Sequence, residues 1–216
     1  MKRLIIYDLD GTLADTLEDL TQAVNHTLRS LRAPELSREE VRGYVGRGVH
    51  DLIRSSLKTD EARRVDDGVA AFRAYYAQHL LDHTRLYPGA SSLLDHFADR
   101  AQAVVTNKPD PFSQEILAAL GVLRYFVAVI AGEAEFPKKP DPASVRALMA
   151  RVQVHPEEAL LVGDSAIDVE TGRNAGIMTA CVLHGLGGEA ELRAARPDVL
   201  VRDFAELLAV ARARAW

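Results

Sequence analysis

The 216-residue chain has a single cysteine, Cys181, so no intrachain disulfide can form and a disulfide-stapled secreted framework is excluded. That cysteine sits in the apolar run "TACVL" and reads as an inert core residue. Basic residues are not in excess. The formal net charge of −5 argues against a nucleic-acid surface, whose footprint is basic. Long apolar runs are missing too. The opening "MKRLIIYDLD" meets Asp8 too early for a signal peptide, and nothing later is long enough to span a bilayer. Repeats, low-complexity tracts and histidines at metal-ligand spacing are also lacking. Together these absences set the expectation of a soluble, cytoplasmic protein with neither membrane nor nucleic acid as partner; a monomer or homodimer is expected, though no residue pattern selects between them.

What is present is an ordinary globular mixture, 48% hydrophobic and 26% charged. It is enough for one core, or for one core with a smaller inserted module. Continuous apolar runs at 4–7, 103–105, 127–130, 159–162 and 179–183 read as strands buried on both faces. Helical patterns separate most of them. Ile116, Leu117 and Leu120 share a face that stops at Gly121, Asp141 is an N-cap ahead of Pro142, and "SAIDVETGRNAG" stops at Gly176. This alternation predicts an α/β fold, a Rossmann-like doubly wound parallel sheet. Residues 16–83 break it, with helix signals only; Ser37 and Glu40 form a capping box there. The prediction is an all-helical cap domain over 16–83, inserted into a discontinuous core of 1–15 and 84–216 and re-entering it near "LYPGASS". The closing "RARAW" reads as a frayed, solvated helix tail.

The first strand ends in Asp8-Leu9-Asp10-Gly11-Thr12. Three further polar clusters follow predicted strands: Thr106-Asn107-Lys108, Lys138-Lys139-Pro140, and Gly163-Asp164-Ser165 with Asp168. Ligands of parallel α/β sheets bind at the carboxyl ends of strands, so the clusters converge on one crevice. Two carboxylates about 4 Å apart repel by about 4 kcal/mol at an effective dielectric of roughly 20. Asp8, Asp10, Asp164 and Asp168 together therefore need protons or a cation. Oxygen-only ligands suit Mg²⁺ with a substrate phosphate, and Lys139 completes the neutralisation. One carboxylate can then act as nucleophile, and a second, two residues on, can protonate the leaving oxygen and activate water. Glycines 185, 187 and 188 lack the context of a dinucleotide loop.

At these residues the chain resembles the haloacid dehalogenase superfamily of phosphohydrolases. The likeness covers essentially the whole chain, with "DLDGT", "VVTNKP", "KKPDP" and "VGDSAIDVETGRNAG" in the family's order. "VTNKPDPF" and "GRGVHDLIRSSL" are most similar to its phosphoglycolate phosphatase branch. The resemblance implies that Asp8 is the nucleophile and a Mg²⁺ ligand. Asp10 would be the general acid/base, its backbone carbonyl also on the metal, and Thr12 would orient it. Thr106 and the Asn107 amide would hold the phosphoryl oxygens. Lys139 would bridge nucleophile and phosphoryl group, chosen over Lys138 because the family's lysine directly precedes the proline. Asp164 would bind Mg²⁺, and Asp168 the metal or its water. Arg47, in "VGRGVHD", could reach a substrate carboxylate or simply face solvent. The expected substrate is a small phosphorylated metabolite, 2-phosphoglycolate first. Another small phosphate, namely a sugar phosphate, a nucleotide or pyrophosphate, is the alternative. Asp10 distinguishes the chain from dehalogenases and phosphonoacetaldehyde hydrolases. Leu20 stands where the β-phosphoglucomutase branch has histidine, and intact Asp8 and Asp10 argue against a non-catalytic phosphate sensor.

Overall fold

The computed structural model describes residues 1–133 and 135–216. Strand β1 (Leu4–Tyr7) is fully buried. Ile5 and Tyr7 belong to one hydrophobic cluster, Leu4 and Ile6 to another on the opposite face. That two-sided burial is what an unbroken apolar run dictates. The chain then leaves through β2 (Ala14–Asp15) and returns through β3 (Arg85–Leu86), which pair antiparallel as a two-stranded ribbon. Between them lie helices α1 (Leu17–Ser30), α2 (Arg38–Arg42), α3 (Val49–Leu57) and α4 (Ala62–Tyr76). The Ser37–Glu40 capping box opens α2 as its sequence requires. After α5 (Ala90–His96) the chain lays down β4 (Ala101–Pro109), α6 (Phe112–Ala119), β5 (Ala128–Gly132), α7 (Ala143–Val152), β6 (Ala159–Gly163), α8 (Ala166–Ala175), β7 (Met178–Val182), α9 (Glu189–Ala195), β8 (Val199–Val201) and α10 (Phe204–Ala213).

The main sheet is parallel throughout, in the order β5-β4-β1-β6-β7-β8. The alternation of apolar runs and helical faces thus yields the expected α/β architecture. The order reverses at β1, which pairs with β4 on one side and β6 on the other. Such a switch point opens a crevice beyond the carboxyl ends of the strands.

Local details differ from expectation. β4 continues to Pro109 with an irregularity after Val105, so Thr106, Asn107 and Lys108 lie within the strand. The three-residue edge strand β8 and the two-residue ribbon strands are too short to leave a periodic signal. Helix α7 starts one residue later than its sequence suggests: Pro142 is the cap, and Asp141 accepts from the Ala143 N–H at 2.8 Å. The tail is a correction. Trp216 is only 6% exposed and packs into the main core. Ala215 adopts a φ of 50° and turns the chain back, so the indole buries apolar area that a solvated tail would leave in water.

Candidate active site

Strand register assembles the site. Tyr7 pairs with Val104 on one side and Val162 on the other, so Asp8, Thr106 and Asp164 emerge from three adjacent strands at nearly one level. The Asp8 N–H extends this ladder by donating to the Val162 carbonyl at 3.0 Å. All three side chains are buried.

Lys139 reaches the floor from the loop before α7. Its ammonium lies 2.9 Å from Asp8 Oδ1 and 2.7 Å from Asp168 Oδ1. Asp8 Oδ1 also accepts from the Leu9 N–H at 2.7 Å. Burial disfavours charge on each group. For Lys139 the two carboxylates outweigh burial and hold the ammonium protonated. For Asp8 burial, reinforced by Asp168, outweighs the shared lysine, and its carboxyl is pushed up to about 6. One lysine divided between two carboxylates cannot satisfy both. Lys138, one residue earlier, is only half-buried and makes no ion pair among the described residues.

Asp164 is enclosed by other elements. Its Oδ1 accepts from the Thr12 hydroxyl at 2.6 Å, and its Oδ2 from the N–H groups of Leu186 (2.7 Å) and Gly187 (3.3 Å). Burial, with Asp168 and Asp8 nearby, raises its carboxyl to about 7. Gly11 adopts a φ of 82°, and a Cβ there would collide with the Asp164 carboxylate. The loop of glycines 185 and 187 packs against Asp164, where a Cβ on either would collide with that residue. The sequence signal was present, since close backbone approach needs residues without Cβ.

The expectation that Thr12 orients Asp10 is corrected. Thr12 turns toward Asp164, because the left-handed turn at Gly11 carries it to the other side of the crevice. Asp10 Oδ1 instead accepts from the Thr16 hydroxyl at 2.7 Å. A second partner was missed altogether. The Lys108 ammonium, buried in β4, lies 3.0 Å from Asp10 Oδ1 and donates to the Tyr76 hydroxyl at 2.8 Å. Asp10 and Tyr76 outweigh burial and keep Lys108 charged.

Asp168 and Asn107 are more committed than expected. Asp168 Oδ2 reaches back to the Ser165 N–H and hydroxyl, at 3.2 and 2.6 Å, while Oδ1 takes Lys139. Both oxygens therefore have protein partners, as do both oxygens of Asp164, and the expected contact to metal or its water would add to these. The Asn107 side-chain N–H₂ donates to the carbonyls of Gly46 (2.9 Å) and Lys139 (3.0 Å), and its oxygen accepts from the Lys139 N–H. The side chain is thus a clamp between the α2–α3 loop and the lysine. Thr106 Oγ1 accepts from the Lys108 N–H at 3.2 Å.

Two cavities meet over Asp8 and Asp10. The first has apolar walls from Leu20, Val49, Leu52, Phe72 and Phe112, and also exposes Tyr76, Thr106 and Lys108. The second is polar, between the α2–α3 loop and the start of α8, and is bordered by Arg42, Arg47 and Glu170. Arg47 is exposed there and has no ion-pair partner among the described residues. Arg42, unremarked in the sequence, donates to the Leu186 and Gly185 carbonyls at 2.8 and 3.2 Å and ties α2 to the loop around Asp164.

Four carboxylates thus face two ammonium groups, a deficit of two positive charges. Asp8, Asp164 and Asp168 each place one oxygen within 4.8 Å of the others. A buried, oxygen-only set with this deficit could hold a divalent cation. Both oxygens of Asp164 and of Asp168 already have partners, so Asp8 Oδ2 is the one oxygen of the three carboxylates without one among the described residues.

Known proteins are similar to this chain in sequence and in fold. Residues 5–182 match the family of haloacid dehalogenase-like hydrolases. The phosphoglycolate phosphatase of Vibrio parahaemolyticus is 38% identical over 96% of this chain and 95% of its own length. That of Haemophilus influenzae is 33% identical over 96% and 97%. Among solved structures, a predicted phosphoglycolate phosphatase from Haemophilus somnus superposes with a TM-score of 0.92 at 29% identity, covering 97% of this chain and 98% of that one. CbbY from Rhodobacter sphaeroides, solved in complex with phosphate, gives 0.83 at 26% identity, with 96% of each chain covered. No described helix is long and apolar enough to cross a membrane. With a family match across most of its length and relatives above 30% identity over nearly all of it, the chain belongs to the haloacid dehalogenase-like hydrolases.

Proposed function

We propose that this protein is a Mg²⁺-dependent phosphomonoesterase that hydrolyses 2-phosphoglycolate to glycolate and phosphate through an aspartyl-phosphate on Asp8. The observation that carries the reading is the state of the Asp8 carboxylate. Oδ1 is held by Lys139 and the Leu9 N–H, while Oδ2 has no partner among the described residues and the side chain borders both cavities. An oriented carboxylate with one free oxygen is a nucleophile awaiting an electrophile. Oδ2 attacks phosphorus, the ester P–O bond breaks, and Asp10 gives its proton to the departing glycolate oxygen. Asp10 then takes a proton from water, whose oxygen attacks phosphorus and breaks the bond to Asp8, releasing phosphate.

Lys139 offsets negative charge on the transferring phosphoryl group, with Thr106 and the Asn107 backbone amide positioning its oxygens. Asp8, the Asp10 carbonyl and Asp164 would hold Mg²⁺, which supplies charge neutralisation at the phosphoryl group. Residues 16–83 would act as a cap domain on a core of 1–15 and 84–216, closing over the site and excluding bulk water. The names of the Vibrio and Haemophilus relatives support the substrate, and the phosphate in CbbY supports the chemistry. Leu20 in the cavity wall offers no proton relay, which supports hydrolysis over phosphotransfer between sugars.

The test is phosphate release from a panel of phosphomonoesters with and without Mg²⁺. Turnover of 2-phosphoglycolate is expected to need the metal and to fall to background in Asp8→Asn. Undiminished turnover by that variant would remove the nucleophile from the scheme.

A further inference from the structure

We infer that Lys108 and Tyr76, rather than Arg47, read the carboxylate of the leaving group; this rests on the phosphoglycolate reading above and assigns its specificity subsite. Lys108 is 5% exposed and lines the apolar-walled cavity together with Asp8, Asp10 and Tyr76. Its donors can be accounted for. One N–H goes to Asp10, whose two oxygens, at 3.0 and 3.4 Å, subtend far less than the angle between ammonium hydrogens and so share it. A second goes to the Tyr76 hydroxyl. The third has no acceptor among the described residues. Tyr76 O–H, which accepts from Lys108, likewise has no acceptor of its own among them. Two neighbouring donors, one cationic, thus border the cavity that holds the nucleophile.

The walls narrow the ligand. Leu20, Val49, Leu52, Phe72 and Phe112 offer no hydrogen bonds, so a polyhydroxy sugar would bury hydroxyls without partners there. A short leaving group with one anionic end needs only the two donors at hand. A desolvated carboxylate on a buried ammonium is also a strong contact, whereas Arg47, exposed beside the polar cavity, would meet it in water. Tyr76 ends α4, and Lys108 lies on β4. The subsite is therefore complete only while α4 sits against the sheet, and recognition of the carboxylate would favour that closed arrangement.

The experiment compares kcat/KM for 2-phosphoglycolate and ethyl phosphate, an ester with an uncharged leaving group, in the Mg²⁺-loaded full chain. Wild type, Lys108→Met, Tyr76→Phe and Arg47→Met are measured. Loss through Asp10 alone would lower both esters equally, so the readout is their ratio. Lys108→Met is expected to reduce the wild-type preference for phosphoglycolate at least tenfold, mostly through KM. Tyr76→Phe, which keeps the ammonium and its Asp10 contact, should reduce it several-fold. Arg47→Met should leave it unchanged. A preference kept by Tyr76→Phe and Lys108→Met, or lost in Arg47→Met alone, would overturn the assignment while leaving the phosphatase intact. A wild type without any preference would overturn the substrate reading as well. If Lys108→Met turns over neither ester, Tyr76→Phe decides by the same ratio.

Discussion

Thr12 and Thr16 lie one helical turn apart in number, yet each hydroxyl serves a different carboxylate: Thr12 serves Asp164, and Thr16 serves Asp10. A hydrogen bond to a charged group is worth about 1.5–3 kcal/mol, or roughly tenfold or more in an equilibrium. Replacing either with isosteric valine should therefore separate two functions. Thr12→Val is expected to raise the Mg²⁺ concentration for half-maximal rate about tenfold, since Asp164 loses a donor that stabilises its charged form. Thr16→Val should lower kcat while leaving that metal requirement alone, because it loosens only Asp10. Metal titrations of initial rate measure both; a shared defect would show that the two carboxylates act as one unit. At this scale the acidic residues were legible in the sequence, since charge after a buried strand demands a reason. Their partners were not: a hydroxyl four residues from another gives no sign of which way it turns.

At the scale of elements, the helices of 16–83 are joined to the sheet by the β2–β3 ribbon, and one buried carboxylate braces that junction. Asp19, in the first turn of α1, accepts from the N–H groups of His83 and Thr84 and from the Thr84 hydroxyl. Asp19→Ala would strand these donors, at a cost of about 1–3 kcal/mol. For a chain of this size each kcal/mol lowers Tm by about 2–4 °C, so thermal unfolding should shift down by several degrees. An unchanged Tm would mean that water replaces the carboxylate. The ribbon itself was illegible, because two residues carry no period. The helices were legible from spacing, and the Ser37–Glu40 box from chemistry alone.

For the whole molecule, the deficit of positive charge in the crevice ties folding to protons and, through the proposed Mg²⁺ site, would tie it to metal. The carboxyls of Asp8 and Asp164 stand at about 6 and about 7, above their values in an unfolded chain. A raised carboxyl favours the fold while protonated, so its contribution is complete below about pH 4 and lost as pH climbs through about 7. Taken alone, these two groups make the metal-free protein lose stability between pH 5 and 8. A divalent cation competes with the same protons. Mg²⁺ should therefore raise Tm more at pH 8 than at pH 5, and Asp164→Asn should both stabilise the metal-free protein at pH 8 and abolish most of the Mg²⁺ effect. Scanning calorimetry at the two pH values checks this; an equal Mg²⁺ shift at both would contradict the linkage.

The sequence by itself determined the parallel α/β core, the helical block after the first strand and the four acidic positions. Each of these is written in local terms: unbroken apolar runs, helical spacing, and charge where a strand ends. Tertiary structure alone decided that Lys139 stands between Asp8 and Asp168, that Thr16 holds Asp10, that a glycine loop encloses Asp164, and that Trp216 turns inward. It also set Lys108 of β4 against Tyr76 of α4. These pairings join residues distant in the chain or set by the direction of a turn. Hydrogen-bond partners follow from where backbones meet, and no local pattern of residues encodes that meeting.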